Sequence, residues 1–350
     1  MDILMISPKV SGIGGVARHV TALIKRLRKK GFLVDIISTE NTLHLPVKGL
    51  YNLSFSATST LKTLRWCLRG KHYDVAHGHN LPTWLGVKLA PASVKILTQH
   101  GIYSESIQLL YGNLAGSVAK RLELAAVKRM NALTCVSGPV YKYYKEMGAR
   151  ARFIPNAIDF QELPGEKLRL FEKQVVYAGR LSYEKGFDML LEAAEFLDPR
   201  VHVVVLGSGL KKLEERAHVL SEKLLNFHYL GYRSHEETLK IIAGSDLLVL
   251  PSRAEGLPTV ILEAMALKVP ILASRIPGVT DVLDESCAAL VELGEPAALA
   301  KAINRFVEDY PREMLERAYT RVKEKFNWDV IAEEYVKLYE ELLTEKTNQI

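Results

Sequence analysis

The sequence predicts an α/β protein made of two Rossmann-like, doubly wound parallel-sheet domains that face each other across a cleft. Three observations lead there. Short β-rich runs alternate with helix-period segments along the chain, the pattern of parallel strands joined by crossover helices. The alternation lapses in a polar stretch near residue 160 and starts afresh at Gln174-Val-Val-Tyr-Ala-Gly-Arg180. The motifs that could carry chemistry follow strands, where ligands of such sheets bind. A length of 350 residues suits two domains of ordinary size, and 48% hydrophobic residues are enough for two cores.

In the first half, strands are expected at Ile3–Ile6, Leu33–Ser38, Asp74–His77, Val94–Gln99 and Ala132–Val136. Each is a short apolar run bounded by turn residues. Helical spacing marks Val16–Lys30, Ser59–Leu68 and Ser117–Met130. In the second half, strands follow at Val175–Ala178, Val201–Leu206, Phe227–Leu230, Leu247–Leu250 and Ile271–Ala273. Pro258 suits the first turn of a helix, where its missing N–H costs nothing. From Trp328 to Leu343, Val330, Ile331, Tyr335, Leu338, Tyr339 and Leu342 recur on one helical face. The expected division is residues 1–160, residues 161–328 and a closing helix, 329–350, that returns to the first domain.

Cys67, Cys135 and Cys287 are far apart and form no CxxC, which argues against a disulfide framework or a cysteine zinc site. The first residues have no basic leader, and no apolar run approaches the ~20 residues of a membrane span. A cytoplasmic protein is expected, soluble or peripheral on the inner face of the membrane. The net charge of +6 is unevenly spread: residues 1–160 hold 22 Lys/Arg against 8 Asp/Glu, and residues 161–350 hold 24 against 32. The basic half could meet an anionic membrane surface or an anionic substrate. No nucleic-acid partner is expected.

The most informative stretch is Pro251-Ser-Arg-Ala-Glu-Gly-Leu-Pro-Thr-Val-Ile-Leu-Glu-Ala-Met-Ala266. Glu255 falls in a strand-to-helix turn, and Glu263 about one turn into the helix. Between them lie the free N–H groups and positive dipole end of a helix N-terminus. Carboxylates can hold sugar hydroxyls while the N–H groups hold a phosphate, a combination suited to a nucleotide-sugar. Arg180 and Lys185, in the loop after Val175–Ala178, could clamp a diphosphate. Gly207-Ser-Gly209 is a turn that allows close backbone approach, and Phe227–Arg233 could line a base and ribose.

In the first half, Gly12-x-Gly14-x-x-Ala17 formally matches a dinucleotide fingerprint, with Glu40 where a ribose-binding acid would sit. Five residues separate the first strand from Gly12, which fits a lid over phosphates better than a nicotinamide site. His77-Gly-His79 and His100 follow strands. Two histidines at i and i+2 could share a metal, but no third ligand is evident, so no metal is expected. Hydrogen bonding to substrate hydroxyls, handling a proton, and structuring the core or a loop remain the open roles.

In order along the chain, the sequence contains Gly14-Gly15-Val-Ala-Arg-His, Asp74-Val-Ala-His-Gly-His, Gln99-His-Gly101, Val136-Ser137, Pro155-Asn-Ala-Ile-Asp159, Gly179-Arg-Leu-Ser-Tyr-Glu-Lys-Gly186, Gly207-Ser-Gly209 and Glu255…Glu263-Ala-Met-Ala266. This series resembles the retaining GT-B glycosyltransferases of family 4, often labelled glycosyl transferases group 1. The resemblance runs from about residue 3 to 340 and includes the closing Phe326-Asn-Trp328. It implies that Arg180 and Lys185 bind the donor diphosphate, that Glu263 binds the ribose, and that Glu255 holds the transferred sugar beside the N–H groups of Gly256 and Leu257. It puts His100 near the donor sugar and Gly15 in the loop over the phosphates; Gly14, Gly207, Gly209 and Arg233, read from the turns and strand ends themselves, complete the expected donor-binding set. One departure is Leu257-Pro258 directly after Gly256, where many members have Gly-Phe-Gly-Leu-Pro.

The expected activity is transfer of a hexosyl unit from a UDP- or GDP-sugar to a hydroxyl acceptor, lipid-linked or part of a glycan. No cofactor and no required metal are expected, and the chain has no D-x-D. Alternatives are a nucleotide-sugar 2-epimerase of the same architecture, an NAD-dependent oxidoreductase and a non-catalytic nucleotide-sugar sensor. The acceptor is expected on the basic domain, near Ile102–Tyr111 and the helix bearing Lys120, Arg121, Lys128 and Arg129.

Overall fold

A computed structural model describes residues 1–10, 14–47 and 50–348. The chain forms two compact units, 1–156 with 328–350, and 157–327.

Unit 1 carries a parallel sheet of β1 (Asp2–Ile6), β2 (Leu33–Ile37), β3 (Tyr73–His79), β4 (Ala92–Gln99), β5 (Ala132–Cys135) and β6 (Ala151–Phe153), in the order β2-β1-β3-β4-β5-β6. Its helices are α1 (Gly15–Lys29), α2 (Tyr51–Leu68), α3 (Trp84–Leu89), α4 (Tyr103–Tyr111), α5 (Asn113–Val127) and α6 (Gly138–Glu146). Unit 2 repeats the plan. Its strands β7 (Gln174–Ala178), β8 (His202–Leu206), β9 (Phe227–Gly231), β10 (Leu247–Leu250), β11 (Ile271–Ser274) and β12 (Ala289–Val291) lie in the order β12-β11-β10-β7-β8-β9. Helices α7 (Phe187–Ala193), α8 (Lys211–Lys223), α9 (His235–Ala243), α10 (Thr259–Ala266), α11 (Pro296–Glu308) and α12 (Arg312–Lys325) join and cover them. Every residue of β7 is buried, as expected of a central parallel strand with both faces covered. The two apolar clusters of unit 2 contain alternate residues of that strand: Val176 and Ala178 in one, Val175 and Tyr177 in the other.

The sheet orders fix where a ligand can bind. The first strand of each sheet has neighbours reached by crossovers in opposite directions: β1 lies between β2 and β3, and β7 between β10 and β8. A crevice opens at the carboxyl ends of strands at such a reversal.

Several elements differ from expectation. The junction falls after Asn156 rather than at 160. Ile158 already belongs to unit 2, where its N–H donates to the Phe326 carbonyl (2.8 Å) and its side chain joins the apolar cluster containing Phe326. β3 continues to His79, so the His77-Gly-His79 motif lies inside the strand. α2 begins eight residues before the expected Ser59. Its serines and threonines are poor helix formers, but Thr58, Thr60 and Thr63 return their hydroxyls to the carbonyls of Ser54, Ser56 and Ser59. Pro258 stands just before α10, as the residue flanking its first turn. Residues 103–111 form a helix of their own, and α5 ends at Val127, before Lys128 and Arg129. The short β6 and β12 have too few residues for a periodic signal.

The last helix, α13 (Trp328–Thr347), packs on α1 and β4. It buries Trp328, Ile331, Ala332, Tyr335, Val336, Leu338, Tyr339 and Leu342. Its acidic side meets bases of the first half: Arg150 holds Glu345 through two bonds (2.7 and 2.6 Å), Arg152 meets Glu341 (2.6 Å), and Arg26 meets Asp329 (3.2 Å). With this helix, unit 1 carries 24 Lys/Arg against 13 Asp/Glu, and unit 2 carries 22 against 27. Part of the charge asymmetry between the sequence halves is thus neutralised by the fold.

Candidate active site

The reversal in unit 2 brings together the loop after β7 and the turn after β10, because these strands are neighbours in the sheet. Lys185 and Glu255, seventy residues apart, form an ion pair: Nζ to Oε2 is 2.6 Å, with 18% and 4% of the side chains exposed. Ser252, fully buried, donates its hydroxyl to the other Glu255 oxygen at 2.7 Å. A carboxylate offers about four lone-pair sites, so Glu255 keeps acceptor capacity after these two bonds. Its geometry depends on Gly186, which has φ 62; a Cβ there would stand 1.7 Å from the Pro251 carbonyl oxygen. Only glycine lets the Lys185 loop lie this close to the Glu255 turn.

Arg253 ties the same two segments together. Its guanidinium grips both Asp188 oxygens (2.6 and 2.9 Å) and the Tyr183 carbonyl (2.6 Å), and its N–H donates to the Glu184 carbonyl (2.8 Å). Ser252, Arg253 and Asp188 had no assigned role in the sequence, since their use depends on the β7–β10 adjacency. Arg180 behaves differently from Lys185. Tyr177 fixes its carbonyl (2.8 Å), but its side chain is 69% exposed and only skirts Glu184 at 3.5 Å. Gly256 is exposed and Leu257 buried, just ahead of α10, whose N-terminus has no side-chain cap.

Glu263 is buried within α10, with His235 at 3.8 Å. Arg233 pairs with Glu237 at 3.1 Å at the start of α9. Gly207 and Gly209 serve the protein's own backbone: Cβ atoms there would lie 1.9 Å from the Gly179 oxygen and 2.2 Å from the Leu181 oxygen. The Leu181 N–H donates to the Ser208 carbonyl (3.1 Å), and that of Leu210 to the Leu181 carbonyl (2.8 Å). These glycines hold the phosphate-loop candidate against the next βα turn.

In unit 1, Gly14 has φ 134 and immediately precedes α1, while Gly15 is its first residue; neither meets another atom where a Cβ would be. Gly12 lies outside the described residues. The histidines gather around the carboxyl ends of β3 and β4, with His19 added from α1. His79 Nδ1 and His100 Nε2 are 3.1 Å apart, and the His19 and His100 rings meet edge to face at 4.7 Å. His19 Nδ1 lies 3.0 Å from Oδ1 of Asn156, the last residue of unit 1 before the chain crosses; an amide oxygen accepts, so Nδ1 carries the proton and Nε2 accepts from the Tyr335 hydroxyl (3.3 Å). The His19 ring also packs against Trp328, where the chain returns. His77 is fully buried between the Tyr339 hydroxyl (2.7 Å) and the Thr98 hydroxyl (2.6 Å), a structural role. Burial holds these rings neutral: His19 is lowered to about 4, with the Asn156 bond opposing, and His77 to about 3. His79 and His100 are held well below the ordinary value by the same burial.

His19, His79 and His100 offer ring nitrogens within 4.8 Å of one another, so α1 supplies the third nitrogen group that the sequence lacked. However, both nitrogens of His19 and both of His79 already have partners, the second of His79 being the Met5 sulfur at 3.2 Å. His19 and His79 are therefore each held at both ring nitrogens.

Beyond His100, Glu123 of α5 is a fully buried carboxylate that collects the Tyr103 N–H (3.0 Å), the Ser104 hydroxyl (2.7 Å) and the Tyr143 (3.4 Å) and Tyr144 hydroxyls. It binds α4 and α6 to α5. The outer surface of α4 and α5 is apolar and uncovered: Leu109 is 87% exposed and Leu114 83%, with Leu110, Tyr111, Val118 and Leu122 also exposed. Lys120, Arg121, Lys128 and Arg129 are exposed on or just after α5. Among the described residues, no helix is long and apolar enough to cross a membrane.

Known proteins resemble the chain over nearly all its length. The family model described as glycosyl transferases group 1 matches residues 161–325, and the model described as glycosyltransferase family 4 matches residues 13–162. A putative teichuronic acid biosynthesis glycosyltransferase of Bacillus subtilis is 28% identical over 77% of this chain and 71% of its own. The phosphatidyl-myo-inositol mannosyltransferase of Mycobacterium leprae is 26% identical over 98% of both chains. The crystallised sucrose-phosphate synthase of Thermosynechococcus elongatus superposes with a TM-score of 0.77 at 19% identity, covering 98% of this chain and 99% of that one, and shares the GT-B fold.

Proposed function

The chain belongs to the glycosyl transferases of group 1, and from that premise we propose that it moves a hexosyl unit, with retention, from a UDP- or GDP-hexose to a hydroxyl acceptor that is lipid-linked or part of a glycan. The observation that carries the donor side is the Lys185–Glu255 pair at the strand reversal of unit 2. In this reading Glu255 accepts hydroxyls of the transferred sugar, flanked by the N–H groups of Gly256 and Leu257. Lys185 and Arg180 meet the diphosphate, and Glu263 takes the ribose. Exposed and weakly paired, Arg180 is free to swing onto an arriving phosphate.

The bond between anomeric carbon and diphosphate breaks through an oxocarbenium-like state while negative charge gathers on the leaving phosphate. Lys185, Arg180 and the N-terminus of α10 are ready to stabilise that charge. The acceptor hydroxyl attacks on the same face and passes its proton to the departing phosphate. Glu123 of unit 1, with its carboxylate saturated by four donors, is unsuited to act as a covalent nucleophile. His100, neutral, hydrogen-bonds the donor sugar.

The acceptor reading rests on the α4–α5 surface. Exposed leucines beside exposed lysines and arginines suit the headgroup boundary of an anionic leaflet, each base adding about 1 kcal/mol near such a surface. The inositol-lipid name of the mycobacterial relative agrees with a lipid acceptor.

A thermal-shift panel of UDP-, GDP- and ADP-hexoses with NAD tests the donor side. A donor at a hundred times its Kd stabilises by about 2.7 kcal/mol, and released nucleoside diphosphate then reports turnover. Stabilisation by NAD alone, or by no nucleotide-sugar, refutes the proposal. Flotation with phosphatidylserine vesicles, lost in Leu114→Glu and at high salt, supports the membrane side; equal flotation with neutral vesicles counts against it.

A further inference from the structure

The turn between β3 and the following 3-10 helix contains a residue in a backbone conformation that a side chain normally excludes. Asn80 has φ 65 and ψ 160, a region occupied almost only by glycine. The other non-glycine residue with positive φ among those described, Lys268 (φ 54), follows the end of α10. Glycine would remove the strain at residue 80, so the side chain there needs a separate reason.

Its contacts supply one. The Asn80 N–H donates to the Thr98 carbonyl at 2.8 Å, and its side-chain oxygen accepts from the His100 N–H at 3.1 Å. The side chain thus adds one more rung between β3 and β4 beyond the point where the backbone ladder ends. Its own carbonyl is held by the Thr83 N–H (3.1 Å) and hydroxyl (2.9 Å). The amide caps nothing on its own 3-10 turn. One residue earlier, the His79 ring meets the His100 ring at 3.1 Å. Consecutive residues at the end of β3 therefore hold His100 at both backbone and ring.

We infer that Asn80 is a positioning residue for the transfer reaction: its strained backbone aims the amide oxygen at the His100 N–H and, with His79, fixes the orientation of the His100 imidazole. This rests on the proposed role of His100 as a group facing the donor sugar. Strain is retained at functional positions where the surroundings over-determine it, and a small displacement of an aligned group is costly in rate.

The test compares Asn80→Gly, Asn80→Asp, His100→Ala and the double variant Asn80→Gly/His100→Ala by nucleoside diphosphate release and thermal unfolding. Asn80→Gly should unfold at or above the wild-type temperature yet lose about tenfold in kcat, with donor KM nearly unchanged. Asn80→Asp, which keeps the acceptor oxygen, should retain most of the activity. The double variant should match His100→Ala, since Asn80 acts only through His100. Wild-type kcat in Asn80→Gly, alongside an impaired His100→Ala, overturns the inference alone. Near-normal turnover in His100→Ala overturns the role of His100 on which it rests.

Discussion

Replacing Lys185 by methionine keeps most of the stem volume and removes the charge that faces Glu255. The carboxylate left behind has 4% of its side chain exposed and retains one donor, the Ser252 hydroxyl. Removing one partner of a fully buried ion pair costs about 3–5 kcal/mol; with 18% of Lys185 exposed, the cost here should fall near 2–3 kcal/mol. The reciprocal change, Glu255→Gln, strands the better-exposed ammonium and should cost about 1 kcal/mol. Lys185→Met should therefore destabilise more than Glu255→Gln, and the double variant should recover part of the loss. Activity should follow another pattern. Each single change removes a group acting on the developing charge or the transferred sugar, worth about 10²–10³ in rate, and the double variant should stay inactive. Urea unfolding measures stability, and nucleoside diphosphate release with a responsive donor measures turnover. Turnover within threefold of wild type in Lys185→Met refutes the site, and equal stability losses in the two single variants refute the burial argument.

Acid should destabilise unit 1 through its histidines. His19 and His77 titrate near 4 and 3 in the folded chain but near 6.5 when unfolded. As pH falls below 6.5 the unfolded chain binds protons that the native chain refuses. Stability present at neutral pH then drops by about 1.4 kcal/mol per pH unit per histidine until the folded values are reached. Urea midpoints at successive pH values check this, and a flat profile between pH 7 and 5 would contradict it. Gly186→Ala should lose activity and about 2 kcal/mol or more of stability, because its Cβ meets the Pro251 carbonyl and φ is left-handed; wild-type turnover would argue against loop placement as the determinant. Glu123→Ala should cost about 3 kcal/mol by orphaning buried donors of α4 and α6, read from urea unfolding. Glu123→Gln, which keeps one acceptor oxygen, should cost less.

Much of the fold is local enough to be legible in the residues themselves. The strand Leu247–Leu250 and the closing helix from Trp328 follow from hydrophobic period and length alone. Glu255 and Glu263 could be paired because they sit in one continuous strand–turn–helix segment. The serine-rich start of α2 and the three-residue strands are illegible for a matching reason: low intrinsic propensity or short length leaves no local signal, and packing decides.

Residue types and their order determined that this chain makes two doubly wound sheets, that its candidate site residues follow strand ends, and that its halves differ in charge. The tertiary structure alone decided which of those residues meet. Lys185 reaches Glu255 because β7 and β10 are sheet neighbours despite the seventy residues between them. His19 joins His79 and His100 because α1 lies over the ends of β3 and β4, and the acids of α13 soften the basic unit because the last helix returns to it. Asn80 carries no mark in the sequence, because its importance lies in a backbone angle and one hydrogen bond twenty residues away. Periodicity records what each segment buries; only the strand order and the crossing of the chain determine what it is buried against.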